Sequence, residues 1–206
     1  MRRVFLLALI AMALPIAASA DIILTNQYGS VAVSNAGIVS TPSELRSFEG
    51  ITTGGSMGSV VFSTGALTGG SLSGSSATFA AGGPASFVVT GVGLWTQSLP
   101  GAPKSKVTLF SGSFVAPVTL TLVSQVGQNK TWTLSGTIAG TLYDGRSVTG
   151  TTQQTIYSSS NQWTNGIGHI RVGTSSLTVP EPGTLGLLGT GLVGIAGMFR
   201  RKLIGT

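Results

Sequence analysis

The chain has 206 residues, of which 31 are glycine, none is cysteine and only 8% are charged. The absence of cysteine excludes a disulfide framework and a thiolate zinc site. The net charge of +6 is concentrated at the two ends, because only six cations and four anions lie between Asp21 and Pro180, so no basic stripe is available for nucleic acid.

The first 20 residues have the pattern of a secretory signal peptide. Arg2-Arg3 forms a positive start, the apolar run VFLLALIAMALPIAA follows, and Ala18-Ser19-Ala20 is a small-x-small cleavage site. Pro15 and the short length of the apolar run argue against a retained membrane anchor. We therefore predict export, with Ala18 and Ala20 at the cleavage site and cleavage before Asp21.

Residues 21–178 alternate short stretches rich in Val, Ile, Thr and Phe with Gly, Ser, Asn and Pro, which is the pattern of an antiparallel β-protein. In PVTLTLV, for example, Val118, Leu120 and Leu122 face one side of a strand and the threonines face the other. Threonine combines a β-branched shape with a hydroxyl that suits a solvent-exposed strand face, so the composition favours two packed sheets with polar exteriors. We predict an all-β, antiparallel β-sandwich domain over residues 21–178.

Two segments in the first half of this domain need separate interpretation. In the segment from Thr41 to Phe48, Thr41 can be the N-cap and Pro42 the first helical residue. Glu44 at position N3 completes a capping box with Thr41, which predicts one or two helical turns. The uncharged segment 64–83 could be a flexible linker. Because Leu67, Leu72 and Phe79 recur among its small residues, we favour short strands joined by tight turns.

The clearest unit is the hairpin at residues 131–157. Trp132, Leu134, Ile138 and Leu142 share one face of its first arm. The dipeptide Asp144-Gly145 is a typical hairpin turn, because glycine tolerates a positive φ. We predict that the two arms pair, with Tyr143 on the opposite face from Trp132 and at the rim beside the turn.

The sequence offers little for catalysis. His169 is the one histidine and lies in an alternating strand, and no nucleophile elbow precedes a helix. Glu44 and Glu49 lie five residues apart, so a pair of catalytic carboxylates is not indicated. The scattered acids lack calcium-loop spacing. We expect no enzyme activity, no cofactor and no metal.

Three aromatic residues are candidate sugar contacts: Trp163, Tyr143 and Trp95. Trp163 lies in the polar segment SSSNQWTNG, where a large aromatic side chain has little reason to pack, although it could also cover one end of the domain. Tyr143 lies beside the hairpin turn. These side chains could stack on sugar rings.

The residues from 179 to 203 have the pattern of a second targeting signal. Pro180-Glu181-Pro182 keeps the chain extended, and residues 183–199 carry no charge. As a single helix these residues span about 25 Å, slightly less than the roughly 30 Å of bilayer hydrocarbon. The basic cluster Arg200, Arg201 and Lys202 would stay on the cytoplasmic side of a transmembrane helix.

This order of Pro-Glu-Pro, an apolar run and a basic cluster resembles the PEP-CTERM sorting signal of Gram-negative bacteria. The resemblance implies recognition by an exosortase, an integral membrane transpeptidase-like enzyme that removes the tail near the motif. It also implies a transient inner-membrane anchor, followed by a place at the cell surface or outside the cell. Many proteins with this signal belong to the surface or matrix of bacteria that make exopolysaccharide. The resemblance covers about 25 residues and transfers no activity to the rest.

From the residues and the resemblance together, we expect a secreted, exosortase-sorted, non-catalytic surface or extracellular-matrix structural protein. The alternative is a carbohydrate-binding module of the exopolysaccharide layer, which would use Trp163, Tyr143 and Trp95. Exopolysaccharide is thus a candidate partner besides the exosortase and the inner membrane, whereas nucleic acid is not.

Overall fold

The computed structural model describes residues 21–93, Leu99, 106–159 and 166–179. Asp21–Val179 forms one compact unit. The described residues contain strands and turns and no helix. The strands are β1 (Asp21–Gln27), β2 (Gly29–Ser34), β3 (Gly37–Ser40), β4 (Ser43–Phe48), β5 (Ile51–Thr52), β6 (Gly58–Phe62), β7 (Leu67–Gly70), β8 (Ser76–Phe79), β9 (Phe87–Gly91), β10 (Val107–Phe114), β11 (Val118–Val126), β12 (Asn129–Leu142), β13 (Ser147–Ser158) and β14 (Gly166–Thr178).

Most of these strands join end to end into longer arms. β1 and β2 pair with β14 in one continuous register, from Asp21 opposite Thr178 to Val33 opposite Gly166, and Tyr28 at φ 62° separates the two strands. β10 and β11 likewise pair with the two halves of β12. The eight arms are β1–β2, β3–β4, β6–β7, β8–β9, β10–β11, β12, β13 and β14.

Each arm pairs antiparallel with the next, and the last arm pairs with the first. The hydrogen-bonded order therefore returns to its starting point and makes a closed eight-stranded barrel. The predicted all-β, antiparallel fold is confirmed. The predicted sandwich is not, because one continuous sheet closes on itself instead of two sheets packing face to face.

The interior of the barrel is filled by apolar side chains from every arm. Four phenylalanines pack together at 5.9–6.5 Å between ring centroids, and Trp132 is fully buried. These phenylalanines are Phe62, Phe87, Phe110 and Phe114. The outward positions of β12 and β13 are mainly threonine and serine, as the alternation predicted.

The predicted helix between Thr41 and Phe48 is wrong, because this segment contains β4. Leu45 and Phe48 are fully buried in the barrel, and burial of two such side chains stabilises the strand by roughly 3–6 kcal/mol, more than the roughly 1 kcal/mol of a helix cap. Thr41 instead bonds to the backbone of β2, accepting from the N–H of Ser30 at 3.0 Å. Glu44 pairs with Arg46 at 2.5 Å, as neighbours two apart on one strand face can.

Two local predictions are confirmed. The segment 64–83 contains the short strands β7 and β8, joined by a tight turn. β12 and β13 pair along their length, from Lys130 opposite Ser158 to Thr141 opposite Ser147. Gly145 takes φ 85° at the tip of this hairpin, where a side chain would be strained.

Candidate functional site

Both ends of the compact unit lie at the same end of the barrel, which we call the terminus end. Asp21 opens β1, Thr178 closes β14, and the two residues are directly opposite each other. The Thr178 hydroxyl donates a hydrogen bond to Oδ1 of Asp21 at 3.0 Å. The polypeptide therefore enters and leaves the barrel side by side.

The two predicted targeting signals lie outside the described residues. This applies to Ala18 and Ala20, to Pro180, Glu181 and Pro182, to the apolar run 183–199, and to Arg200, Arg201 and Lys202. Within the described part of the chain, no helix has the length and apolar character needed to cross a membrane. The last described residue, Val179, is partly buried and packs against the core.

Tyr143 lies at the terminus end, at the rim beside the β12–β13 turn, where its half-buried side chain packs against the core. Its hydroxyl donates to Oε2 of Glu49 at 3.3 Å, and the edge of its ring packs against Phe48 with 6.3 Å between centroids. Arg146 reaches Glu49 at 3.6 Å and Asp144 at 2.5 Å. We call Glu49, Tyr143, Asp144 and Arg146 the rim cluster.

Burial raises the pKa values of Glu49 and Tyr143, the two residues of the rim cluster that share a hydrogen bond. It raises the pKa of Glu49 above the ordinary value of 4.5, while the Arg146 charge and the Tyr143 hydroxyl act against this rise. Burial also raises the pKa of Tyr143 above 10.0, and the negative charge of Glu49 adds to the effect. The raised pKa of Tyr143 keeps the phenol protonated, so it donates the hydrogen bond that it shares with Glu49.

The structure describes only one of the three predicted sugar contacts, Tyr143. Trp95 and Trp163 lie outside the described residues. The described flanks of residues 94–105 lie at the terminus end, where Gly91 is opposite Val107. The described flanks of residues 160–165 lie at the opposite end, beyond the 12 residues of β13, which span roughly 40 Å.

A polar network inside the barrel joins β1, β4, β13 and β14. The amides of Asn26 and Gln154 bond to each other twice, at 3.0 and 3.3 Å. Asn26 also donates to Ser43 at 2.8 Å, and Gln154 donates to Thr152 at 3.0 Å. Ser175 donates to Thr152 at 2.8 Å. All five side chains are at most 1% exposed, and both amides use all their N–H donors within the network.

Sequence reasoning missed this interior network and the partners of Tyr143. The alternation in β13 carries a signal for the network, since Thr152 and Gln154 have the same parity as the buried Val148 and Ile156. No comparable signal links Glu49 to Tyr143, because the two residues lie 94 positions apart.

The remaining chemistry-bearing side chains are dispersed over the described surface. His169 is exposed on β14, with Nδ1 3.3 Å from the hydroxyl of Ser30. Glu44 pairs with Arg46 and is remote in the strand register from the rim cluster. Among the described residues, no group of three metal-ligating side chains comes together.

Comparison with known proteins identifies one feature of the chain. A family model described as the PEP-CTERM protein-sorting motif matches residues 178–202. No curated protein and no solved structure matches the chain. The matched residues include the Pro-Glu-Pro motif, the apolar run and the basic cluster on which the resemblance depended. The chain therefore carries a PEP-CTERM sorting motif, and this motif indicates export and sorting by an exosortase.

Proposed function

We propose that the protein is a non-catalytic structural component of the cell surface or of the extracellular, exopolysaccharide-associated matrix. The sorting motif at residues 178–202 carries the proposal, because it directs the chain to the exosortase that would remove the tail. Removal of both targeting signals leaves the barrel of residues 21–179. The eight arms close into one sheet, which limits the exposed strand edges through which the barrel could pair with other chains.

The non-catalytic part of the proposal rests on the structural roles of the described titratable side chains. Among the described residues, the one histidine bonds to a serine hydroxyl on the outer face of the barrel. The carboxylate of Glu49 is already engaged by Tyr143 and Arg146. These contacts give both side chains a structural role, His169 between two strands and Glu49 at the rim of the barrel.

The rim cluster favours a second candidate, the carbohydrate-binding module. It places a half-buried tyrosine beside two carboxylates and a guanidinium, which are groups that bind sugar hydroxyls. The described residues on either side of Trp95 lie at the same end, and those on either side of Trp163 lie at the other end, so the proposal treats the two tryptophans as separate candidate contacts.

Fractionation of the producing cells tests the sorting proposal. The wild-type protein is compared with a variant that carries Pro180→Ala, Glu181→Ala and Pro182→Ala. The wild-type protein should leave the membrane fraction in a shortened form, and the variant should stay there at full length. Wild-type protein that stays at full length in the membrane would contradict the proposal.

Titration of the released protein with the producer's polysaccharide separates the two candidate functions. A structural role predicts no change in tryptophan fluorescence with any glycan. A saturable change that Tyr143→Ala or Trp95→Ala abolishes would favour the binding module at the terminus end. A change that only Trp163→Ala abolishes would favour a site at the opposite end.

A further inference from the structure

The sorting motif begins in the last strand of the barrel. The family match starts at residue 178, and Thr178 is the last residue of β14. Val179 packs against the core, so the first residue outside the described fold is Pro180. No spacer residues separate the folded barrel from Pro180-Glu181-Pro182.

The residues upstream of the motif have both of their strand edges occupied. Ser176, Leu177 and Thr178 pair with β1 on one side, at Ile23, Ile22 and Asp21. On the other side the same three residues pair with β13, at Thr151, Gly150 and Thr149. Leu177 is fully buried. While the barrel is closed, this end of β14 cannot offer its backbone to another protein.

A processing enzyme needs an extended peptide whose backbone is free to bond. Such enzymes act on locally opened chain, and the rate follows the population of the open form when opening is fast. The motif itself is poor in backbone donors, since Pro180 and Pro182 have no N–H. Backbone recognition on the upstream side therefore depends on Thr178 and Val179.

We propose that exosortase processing requires the end of β14, Ser176 to Thr178, to separate from β1 and β13. This inference rests on the proposed sorting function and concerns its regulation. The closed barrel restrains cleavage, and the opening of one strand end sets the rate at which the protein is released. The rest of the barrel stays folded during release, since the remainder of β14 stays paired with β2 and with β13.

A disulfide across the strand end tests the proposal. Thr149 and Thr178 lie directly opposite each other and are exposed, and the chain has no cysteine of its own. The variant with Thr149→Cys and Thr178→Cys is expressed in the producing bacterium, and release of its tail is followed by pulse-chase. Oxidised protein should be processed at least about tenfold more slowly than wild type, and reduction should restore the rate.

Two controls isolate the effect of opening. Thr133→Cys with Thr155→Cys bridges β12 and β13 away from the end of β14, since Thr155 is opposite Val172, and this variant should be processed at the wild-type rate. Thr178→Cys alone measures any effect of changing the motif residue itself. Thiol labelling reports how much of each disulfide has formed.

A spacer provides the independent second test. Insertion of Gly-Ser-Gly-Ser between Val179 and Pro180 supplies free upstream backbone without opening the barrel. It should speed the processing of the wild-type protein and rescue the cross-linked variant. Unchanged processing of the oxidised variant, or a spacer that leaves the rate unchanged or lowers it, would overturn the proposal.

These results separate the inference from the sorting function on which it rests. If the wild-type tail is cleaved and neither the cross-link nor the spacer changes the rate, only the requirement for strand opening fails. If the wild-type tail is never removed, the proposed sorting fails and the inference fails with it.

Discussion

The polar side chains inside the barrel leave no room for a larger residue at position 173. A Cβ atom added to Gly173 would lie far inside van der Waals contact with the amides of Gln154 and Asn26. We expect Gly173→Ala to lower the free energy of unfolding by about 2–4 kcal/mol, because it overpacks the interior and breaks buried hydrogen bonds. Chemical denaturation of the released protein measures this change.

Gly83→Ala is the matched control for this substitution. The position has open space around it and an ordinary φ, so its stability should stay within about 0.5 kcal/mol of wild type. If Gly173→Ala were equally harmless, the network described at the centre of the barrel would be wrong.

The raised pKa of Glu49 predicts a dependence of stability on pH. The folded state holds the Glu49 proton more tightly than the unfolded state, so this contribution is fully present below pH 4.5 and is lost as pH rises through the folded pKa. Glu49→Gln removes the titration. The difference in unfolding free energy between the variant and wild type should therefore increase in favour of the variant across this window. A difference that stays flat from pH 4 to neutral pH would show that burial does not perturb Glu49.

At the scale of single elements, β4 shows where local signals and the fold disagree. A helix and a strand make different predictions for two neighbouring residues. In the strand, Leu45→Ala should cost about 2–5 kcal/mol because it opens a cavity in the barrel. Glu44→Ala should cost about 0.5 kcal/mol or less, since it removes only a surface ion pair.

Thermal and chemical denaturation of the two variants tests the strand. A capping box would make Glu44 worth about 1 kcal/mol and would place Leu45 differently relative to the core. Comparable costs for the two substitutions would therefore speak against β4.

The strands and the hairpin could be predicted from the sequence because their signals are local. Alternation placed Trp132, Leu134 and Ile138 on the buried face of β12, and Asp144-Gly145 marked the turn. The capping pattern at Thr41 was also local, but burial of Leu45 and Phe48 outweighs it. The Glu49–Tyr143 contact depends on the tertiary fold and has no local signal.

The closure of the barrel belongs to the whole molecule and could not be predicted. It depends on pairing between the first and last arms, whose Asp21 and Thr178 are 157 residues apart in the chain. Alternation says which face of a strand is buried and does not say which strands are neighbours. A sandwich and a barrel therefore require the same alternation of buried and exposed residues within each strand.

A circular permutant tests the closure. The new chain joins Val179 to Asp21 through a four-residue Gly-Ser linker and begins at Gln128, in the exposed turn between β11 and β12. Because the two joined ends are adjacent, we expect it to unfold cooperatively and within about 2 kcal/mol of the original protein. The control permutant opens the chain between Thr152 and Gln153, inside the polar network, and should not fold. Loss of structure in the first permutant would contradict the side-by-side termini.

Sorting is the central claim at the scale of the whole molecule, and intact mass spectrometry of the surface or extracellular form tests it most directly. The account predicts a mature chain that starts at Asp21 and ends within a few residues of Pro180-Glu181-Pro182, without the basic cluster. A mature chain that still contains Arg200, Arg201 and Lys202 would contradict it.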